Sequence, residues 1–274
     1  MQSLTHIMQF TAQLGRYLIL ALWCINGAQA AEPLRVAVAS NFSPSLHTLL
    51  AQFHQQHPKI NVQVSAGASG QLFAQIVQGA PFDVYLAANT DYPQKLFARQ
   101  LAQMPVTYAH GRLLLISRHS GESWQALLAQ TERLAMANPA LAPYGAAAQT
   151  LLQQAPEFNG RVLTATAVSQ VQHWFAASHV DSAFAAASLQ PANADYTQLD
   201  VTPFLAEPIA QQLAVLTRTR QPQAAADFVQ FLLSANTQAL LQAQGFRALP
   251  EIEKHSGDKP NPEPPLSGAT DAKR

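Results

Sequence analysis

Apolar and polar positions change period repeatedly along this chain, and the changes mark out its elements. Leu34-Arg35-Val36-Ala37-Val38-Ala39 is a nearly continuous apolar run, the pattern of a strand buried on both faces. After Ser40-Asn41-Phe42 the period becomes helical. Leu46, Leu49, Leu50 and Phe53 recur at i, i+3, i+4 and i+7, with Ser43 as the expected cap and Pro44 in the first turn. Residues 61–64 alternate as a strand, Gly67-Ala68-Ser69-Gly70 reads as a turn, and Leu72, Phe73, Ile76 and Val77 predict a second helix closed by Gly79. Residues 82–87 predict a third strand, and Asn89 stands where it can cap a helix carrying Leu96 and Phe97. Further strands are expected at 113–116, 134–137, 161–163, 183–187 and 213–216, and further helices at 124–128, 145–152, 169–177, 223–233 and 237–243. Such alternation predicts an α/β fold, parallel sheets covered on both faces by helices, with ligands held where strands end and helices begin.

The two ends break this pattern. Residues 1–30 contain one basic residue, Arg16, and no acidic one. The apolar run from Tyr17 to Ile25 is followed by Ala28-Gln29-Ala30, a small-x-small cleavage pattern. This predicts a secretory signal peptide cut between Ala30 and Ala31, and hence an exported protein. Cys24, the only cysteine, lies inside the leader, and Trp23 before it is too large for a lipoprotein site. The mature chain therefore has no disulfide and relies on its core. No second apolar run reaches membrane length, so no stable membrane insertion is expected after cleavage. From Pro250 to Arg274 the chain holds Pro250, Pro260, Pro262, Pro264, Pro265 and mixed charges, which predicts a disordered tail.

Charge narrows the choice of partner. The 274 residues carry 16 Lys+Arg and 16 Asp+Glu, and only 12% are charged against 48% hydrophobic. A polyanion such as nucleic acid, which needs a basic surface, is excluded as a natural partner. A small anion is not. Four strand-to-helix turns, Ser40-Asn41, Ala68-Ser69-Gly70, Pro143-Tyr144-Gly145 and Ala167-Val168-Ser169, each offer backbone N–H groups at a positive helix end, most with a hydroxyl or amide beside them. Taken singly, each such turn is explained by ordinary capping; converging, they would make an anion site without a formal positive charge.

At these residues the sequence resembles the periplasmic molybdate-binding proteins of ABC transporters. The blocks Val38-Ala39-Ser40-Asn41-Phe42, Gly67-Ala68-Ser69-Gly70-Gln71, Gly79-Ala80-Pro81-Phe82-Asp83-Val84, Ala137-Asn138-Pro139 and Ala142-Pro143-Tyr144-Gly145-Ala146-Ala147-Ala148 carry the likeness, which covers about 34–249. The resemblance implies a two-lobed periplasmic binding protein of type II. Its first lobe would be 31–109 plus 207–249 and its second 110–206, joined by two crossovers with hinges near His110 and Glu207. It implies an oxyanion ligand, molybdate or tungstate, no cofactor, an ABC permease as partner and a monomeric protein. Carried over residue by residue, the ligand positions are Ser40, Asn41, Ser69, Tyr144 and the backbone N–H of Val168. Ala68 is the alternative to Ser69 at the second helix start. Some family members place a tyrosine on the late strand of the second lobe; here that stretch reads Phe184-Ala185-Ala186-Ala187-Ser188, and Tyr144 is expected to take its place. The chemistry is consistent: a tetrahedral dianion has acceptors only, so its partners are N–H and O–H donors.

Another small oxyanion or an organic acid fits the same fold, and so does a sensory role. A secreted hydrolase finds little support: Gly67-Ala68-Ser69-Gly70-Gln71 lacks the second glycine of a nucleophile elbow, and no H-E-x-x-H or Walker motif occurs. Asp83 is expected to serve structural hydrogen bonding. His47, His54 and His57 are expected on a solvated helix face rather than around a metal, and Trp174 and Phe175, spaced with Val171, in the core.

Overall fold

The computed structural model describes residues 32–190, 195–247 and 249; the leader with its cleavage site, and the tail after Pro250, lie outside them. Among the described residues, ten strands form two five-stranded sheets. The first contains β1 (Leu34–Ala39), β2 (Val62–Gly67), β3 (Val84–Leu86), β4 (Val106–Gly111) and β10 (Ile209–Val215), in the order β2-β1-β3-β10-β4. The second contains β5 (Leu113–Ser117), β6 (Arg133–Ala137), β7 (Arg161–Ala165), β8 (Ser182–Ala186) and β9 (Thr197–Asp200), in the order β7-β6-β8-β5-β9. The chain passes from one sheet to the other at Arg112 and returns through 201–208.

Each sheet is rich in parallel pairs, with four strands in one direction and one reversed. In the first sheet β10 runs antiparallel to β3 and β4. In the second, β5 runs antiparallel to β8 and β9. In each case the reversed strand is the first one built after a crossover, so it enters its sheet from the opposite end. Strands β4 and β9 escaped the hydrophobic pattern because both are sheet edges. An edge strand has one open flank and no need of a continuous apolar run, as Thr197-Gln198-Leu199-Asp200 illustrates.

Eight helices are described: α1 (Ser43–Gln56), α2 (Ser69–Val77), α3 (Asp91–Ala98), α4 (Trp124–Ala129), α5 (Pro143–Leu152), α6 (Val168–Ala176), α7 (Pro222–Leu233) and α8 (Ala235–Ala243). Alternation along the first sheet decides which helices it meets. Val36, Val38, Val84 and Leu86 face Leu46, Phe53, Phe228 and Leu232 of α1 and α7. Ala37 and Tyr85 face the other way, onto Leu72 and Ile76 of α2 and Leu96 of α3. Phe53 lies edge-on to Phe228 with ring centroids 5.4 Å apart, and truncating either ring would cost about 3–5 kcal/mol. The second sheet packs into one larger cluster with Leu127, Leu151, Val171 and Phe175 from α4, α5 and α6; Trp174 sits at its margin, partly buried.

Local details differ from the sequence reading in two places. Ser43 is not the cap of α1: the N-cap is Phe42, without a side-chain hydrogen bond, and Ser43 is already helical. Asn89 lies one residue before the N-cap Thr90 of α3, yet its Oδ1 still accepts from the Tyr92 N–H at 3.5 Å. Gly79, at φ +100°, follows the end of α2 in a conformation that L side chains rarely adopt. Asp83 immediately precedes β3 and is buried. It accepts from Arg35 N at 2.8 Å and from Thr219 Oγ1 at 2.7 Å, joining β1 to the turn after β10. His47 and His54 are exposed on α1, and His57 stacks on Phe53.

Candidate oxyanion site

The site is set by what the strands release at their carboxyl ends. Ser40 continues β1, donating its backbone N–H to Gly67 O at 2.9 Å, so the ends of β1 and β2 stay side by side and deliver Ser40, Asn41, Ala68 and Ser69 to one place. Ala68 is the N-cap of α2. The first N–H groups of a helix have no intrahelical acceptor. That of Gly70 is taken by Leu141 O at 2.8 Å, and those of Ala68 and Ser69 have no backbone acceptor among the described residues. Ser69 Oγ accepts from Ala88 N at 3.0 Å, and its carbonyl accepts from Tyr85 Oη at 2.7 Å, so this residue is clamped in place by the loop after β3.

From the second sheet, β6 leads through Asn138 into α5. Asn138 N donates to Ala165 O at 2.7 Å, which keeps the end of β7, and Val168 at the start of α6, beside it. Gly145 permits this entry: a Cβ there would lie 2.3 Å from Ala137 O. Tyr144, on the first turn of α5, reaches across to the first sheet. Asn41 Nδ2 donates to its phenol oxygen at 3.5 Å and Gln211 Nε2 at 3.2 Å. Asn41 Nδ2 also donates to Gln211 Oε1 at 3.2 Å, and Tyr108 Oη to the same oxygen at 3.1 Å. Asn41 is 1% exposed, Tyr144 2% and Gln211 0%. Burial pushes the phenol of Tyr144 well above its ordinary value, while the hydrogen bonds from Gln211 and Asn41 pull the other way; it is a neutral donor at any physiological pH.

The two lobes therefore meet directly. Gly70 N–H donates to Leu141 O, Tyr92 Oη to Ala140 O at 3.1 Å, and Ser188 Oγ to Asn41 O at 2.9 Å. Ala39 and Ala88 of the first lobe share one buried apolar cluster with Ala142, Tyr144 and Val168 of the second, so part of the junction is apolar. Of the expected residues, Ser40, Asn41, Ala68, Ser69 and Tyr144 sit at this seam. Val168 begins the neighbouring helix and shares the apolar cluster, without a hydrogen bond to the others among the described residues. The sequence reading missed Gln211, Gly111 and Ser188. For Gln211 a signal was present: Ile209-Ala210-Gln211-Gln212-Leu213 places two adjacent glutamines in an otherwise apolar strand. The expected strand at 213–216 began too late to include them.

A groove of about 770 Å³ opens beside the seam, sharing Ser188 with it and lined also by Thr48, Arg112, Tyr196, Gln198 and Asp200. None of the expected ligand residues faces it, and its arginine is already matched by Asp200 at 3.0 Å. In the described contacts no lysine or arginine side chain reaches Ser40, Asn41, Ser69 or Tyr144. Among the described residues no group of three or more His, Cys, Asp or Glu could hold a metal ion.

Residues 34–247 match the family model for the bacterial extracellular solute-binding proteins. The chain belongs to that family. Its curated relatives include the molybdate-binding protein ModA of Azotobacter vinelandii, 32% identical over 231 residues that cover 80% of this chain and 91% of the relative. A second is ModA of Rhodobacter capsulatus, 29% identical over 225 residues, covering 79% and 89%. Among solved structures, the periplasmic molybdate-binding protein of Azotobacter vinelandii superposes with a TM-score of 0.72 at 30% identity, over 80% of this chain and all of that one. The two-lobed type II binding-protein fold is thus the family's fold, and no helix among the described residues is long and apolar enough to cross a membrane.

Proposed function

We propose that this solute-binding protein captures molybdate, and with it tungstate, between its lobes. Ser40, Asn41, Ser69, Tyr144 and the N–H of Val168 are the contacts, with the N–H of Ala68 beside them. The observation that carries the reading is the Asn41–Tyr144 pair: two buried, neutral, donor-bearing side chains from opposite lobes meet at the helix starts. A tetrahedral dianion accepts hydrogen bonds and gives none, so hydroxyls, carboxamides and helix-end amides match it without a cation. In a buried seam such dipoles count for more than in water. A cavity of fixed width also separates anions by size, since sulfate is smaller than molybdate or tungstate. Likeness to the two ModA proteins over most of both chains supports the same ligand.

The protein is exported by its leader, cleaved at Ala30, and works as a periplasmic monomer that hands the anion to an ABC permease, without turnover. Bending near His110 and Glu207 opens and closes the cleft between lobe 1 (31–109 plus 207–249) and lobe 2 (110–206), and the closed, liganded form is what the permease reads. Calorimetric titration with molybdate, tungstate, sulfate and phosphate tests the ligand. Tight binding of the first two alone is expected; tight sulfate or phosphate binding, or none from any of the four, would overturn the reading.

A further inference from the structure

Gln211 touches both of the side chains that bridge the lobes, yet it lies on neither helix start. It sits in β10, the strand that returns the chain to the first sheet, at the point where the β10–β4 register shifts between Gln211 and Gln212. Its carboxamide is fully buried. Oε1 accepts from Asn41 Nδ2 and from Tyr108 Oη, and Nε2 donates to Tyr144 Oη. Gly111 on the partner strand makes room for this arrangement, because a Cβ there would stand 2.8 Å from Gln211 Nε2.

Counting donors and acceptors gives this network a direction. A phenol oxygen has one proton to give and two lone pairs to receive. The oxygen of Tyr144 receives N–H donors from Gln211 and from Asn41, so its acceptor capacity is filled and its own proton must be given elsewhere. The opposite carboxamide orientation would reverse this: Gln211 Oε1 would take the Tyr144 proton, and the cleft would face a lone pair, repelling an anion. Asn41 Nδ2 favours the first orientation by donating to Gln211 Oε1 at 3.2 Å, and Tyr108 Oη, whose single proton is shared between Gln211 Oε1 at 3.1 Å and Ala87 O at 3.3 Å, lies nearer the amide oxygen.

We propose that Gln211 is a positioning residue for the oxyanion. Held by Tyr108 and Asn41, it fixes the phenol of Tyr144 as a hydrogen-bond donor into the cleft, and it links the returning strand to the closed arrangement of the lobes. This rests on the oxyanion reading of the site.

The test is a double-mutant cycle read by calorimetry with molybdate, using Gln211→Met, Tyr144→Phe and the double variant, with far-ultraviolet circular dichroism and thermal melting of each ligand-free protein. Gln211→Met is expected to weaken binding about tenfold in the wild-type background, the weight of one directed hydrogen bond, and less than about threefold when Tyr144 is already Phe. An equal loss in both backgrounds would overturn the assignment, since a merely structural glutamine would not depend on the phenol proton. Gln211→Glu, of the same shape, gives a second reading should the Met variant fail to fold. Its carboxylate accepts but does not donate, so it captures the Tyr144 proton and is expected to bind molybdate at least about tenfold more weakly with its fold intact; unchanged affinity would overturn the assignment. If the wild-type protein binds molybdate and the cycle is additive, only the role of Gln211 falls. If the wild-type protein binds no molybdate, the oxyanion reading falls, and the role of Gln211 with it.

Discussion

The phenol oxygen of Tyr144 occupies the space that a side chain on Gly111 would need: a Cβ built there would lie 2.2 Å from it. The two residues belong to different sheet layers. Gly111 ends β4, next to the Arg112 crossover, and Tyr144 opens α5. The glycine is required here for close approach rather than for an unusual backbone angle.

Gly111→Ala should therefore act on binding. The added methyl would displace the phenol and, at 2.8 Å, the Gln211 amide. Overpacking of this kind costs about 1–3 kcal/mol, and molybdate affinity is expected to fall at least about tenfold because a donor is moved out of line. Calorimetry and thermal melting of the variant measure the two effects. Wild-type affinity would show that Tyr144 is not where the anion meets this lobe.

Gly70→Ala should keep the lobes apart. A Cβ at Gly70 would lie 2.7 Å from Tyr92 Oη and 3.1 Å from both Cα and O of Leu141, at the point where α2 touches the loop before α5. The methyl opposes the Gly70–Leu141 hydrogen bond that joins the lobes. In small-angle scattering with saturating molybdate, the variant is expected to remain larger than the wild type, with weakened affinity. Equal radii would show that this contact does not limit closure.

Three buried tyrosines set the alkaline limit. Burial holds Tyr85, Tyr108 and Tyr144 above the ordinary phenol value of 10.0. The folded protein thus keeps protons that the unfolded chain gives up near pH 10, so the stability they contribute is complete below that pH and is lost as pH rises beyond it. Tyrosinate absorbance from these three should appear together with unfolding. Its appearance near pH 10 in a still-folded protein would contradict the burial described.

Asp200 works at the acid end. Burial disfavours its charge, but hydrogen bonds from the side chain and backbone of Thr202 and from Arg112, together with the charge of Arg112, more than offset this and hold the carboxyl below its ordinary 3.8. Its contribution is present above the ordinary carboxylate value and is lost as pH falls through the lower folded value. Asp200→Asn should lower stability at neutral pH and leave a shallower decline on acidification. Acid titration of thermal melting would read both, and a parallel decline in wild type and variant would exclude this role.

The sequence revealed the elements whose hydrophobic pattern is complete. Strand β1 and helix α1, with Leu46, Leu49, Leu50 and Phe53 on one face, were legible because both bury a continuous surface. So were the helix starts that present Asn41, Ser69 and Tyr144, since Gly, Pro and hydroxyl residues punctuate them. What stayed hidden depends on partners distant in sequence. Gln211 meets Asn41 across 170 positions, and nothing local to either residue announces that pairing. The direction of β10 and β5 was hidden for the same reason, because a strand's orientation is fixed by where the chain enters the sheet. Gly111 gave no turn signal, as its role is to leave space for the ring of Tyr144, 33 positions further along the chain.

The two sheets differ in how their strands are spaced along the chain. All five strands of the second sheet, β5 to β9, are consecutive, so that lobe can close as soon as Asp200 has emerged. The first sheet has β10 between β3 and β4, and α7 and α8 cover its face, so it stays unfinished until nearly the last described residue is available. Loops that span a whole lobe are slow to close. The lobe begun first is therefore completed last, and the seam holding Asn41, Tyr144 and Gln211 is among the final features to assemble. A chain truncated anywhere in β10 or α7 would keep a finished second lobe and have no place to bind an anion.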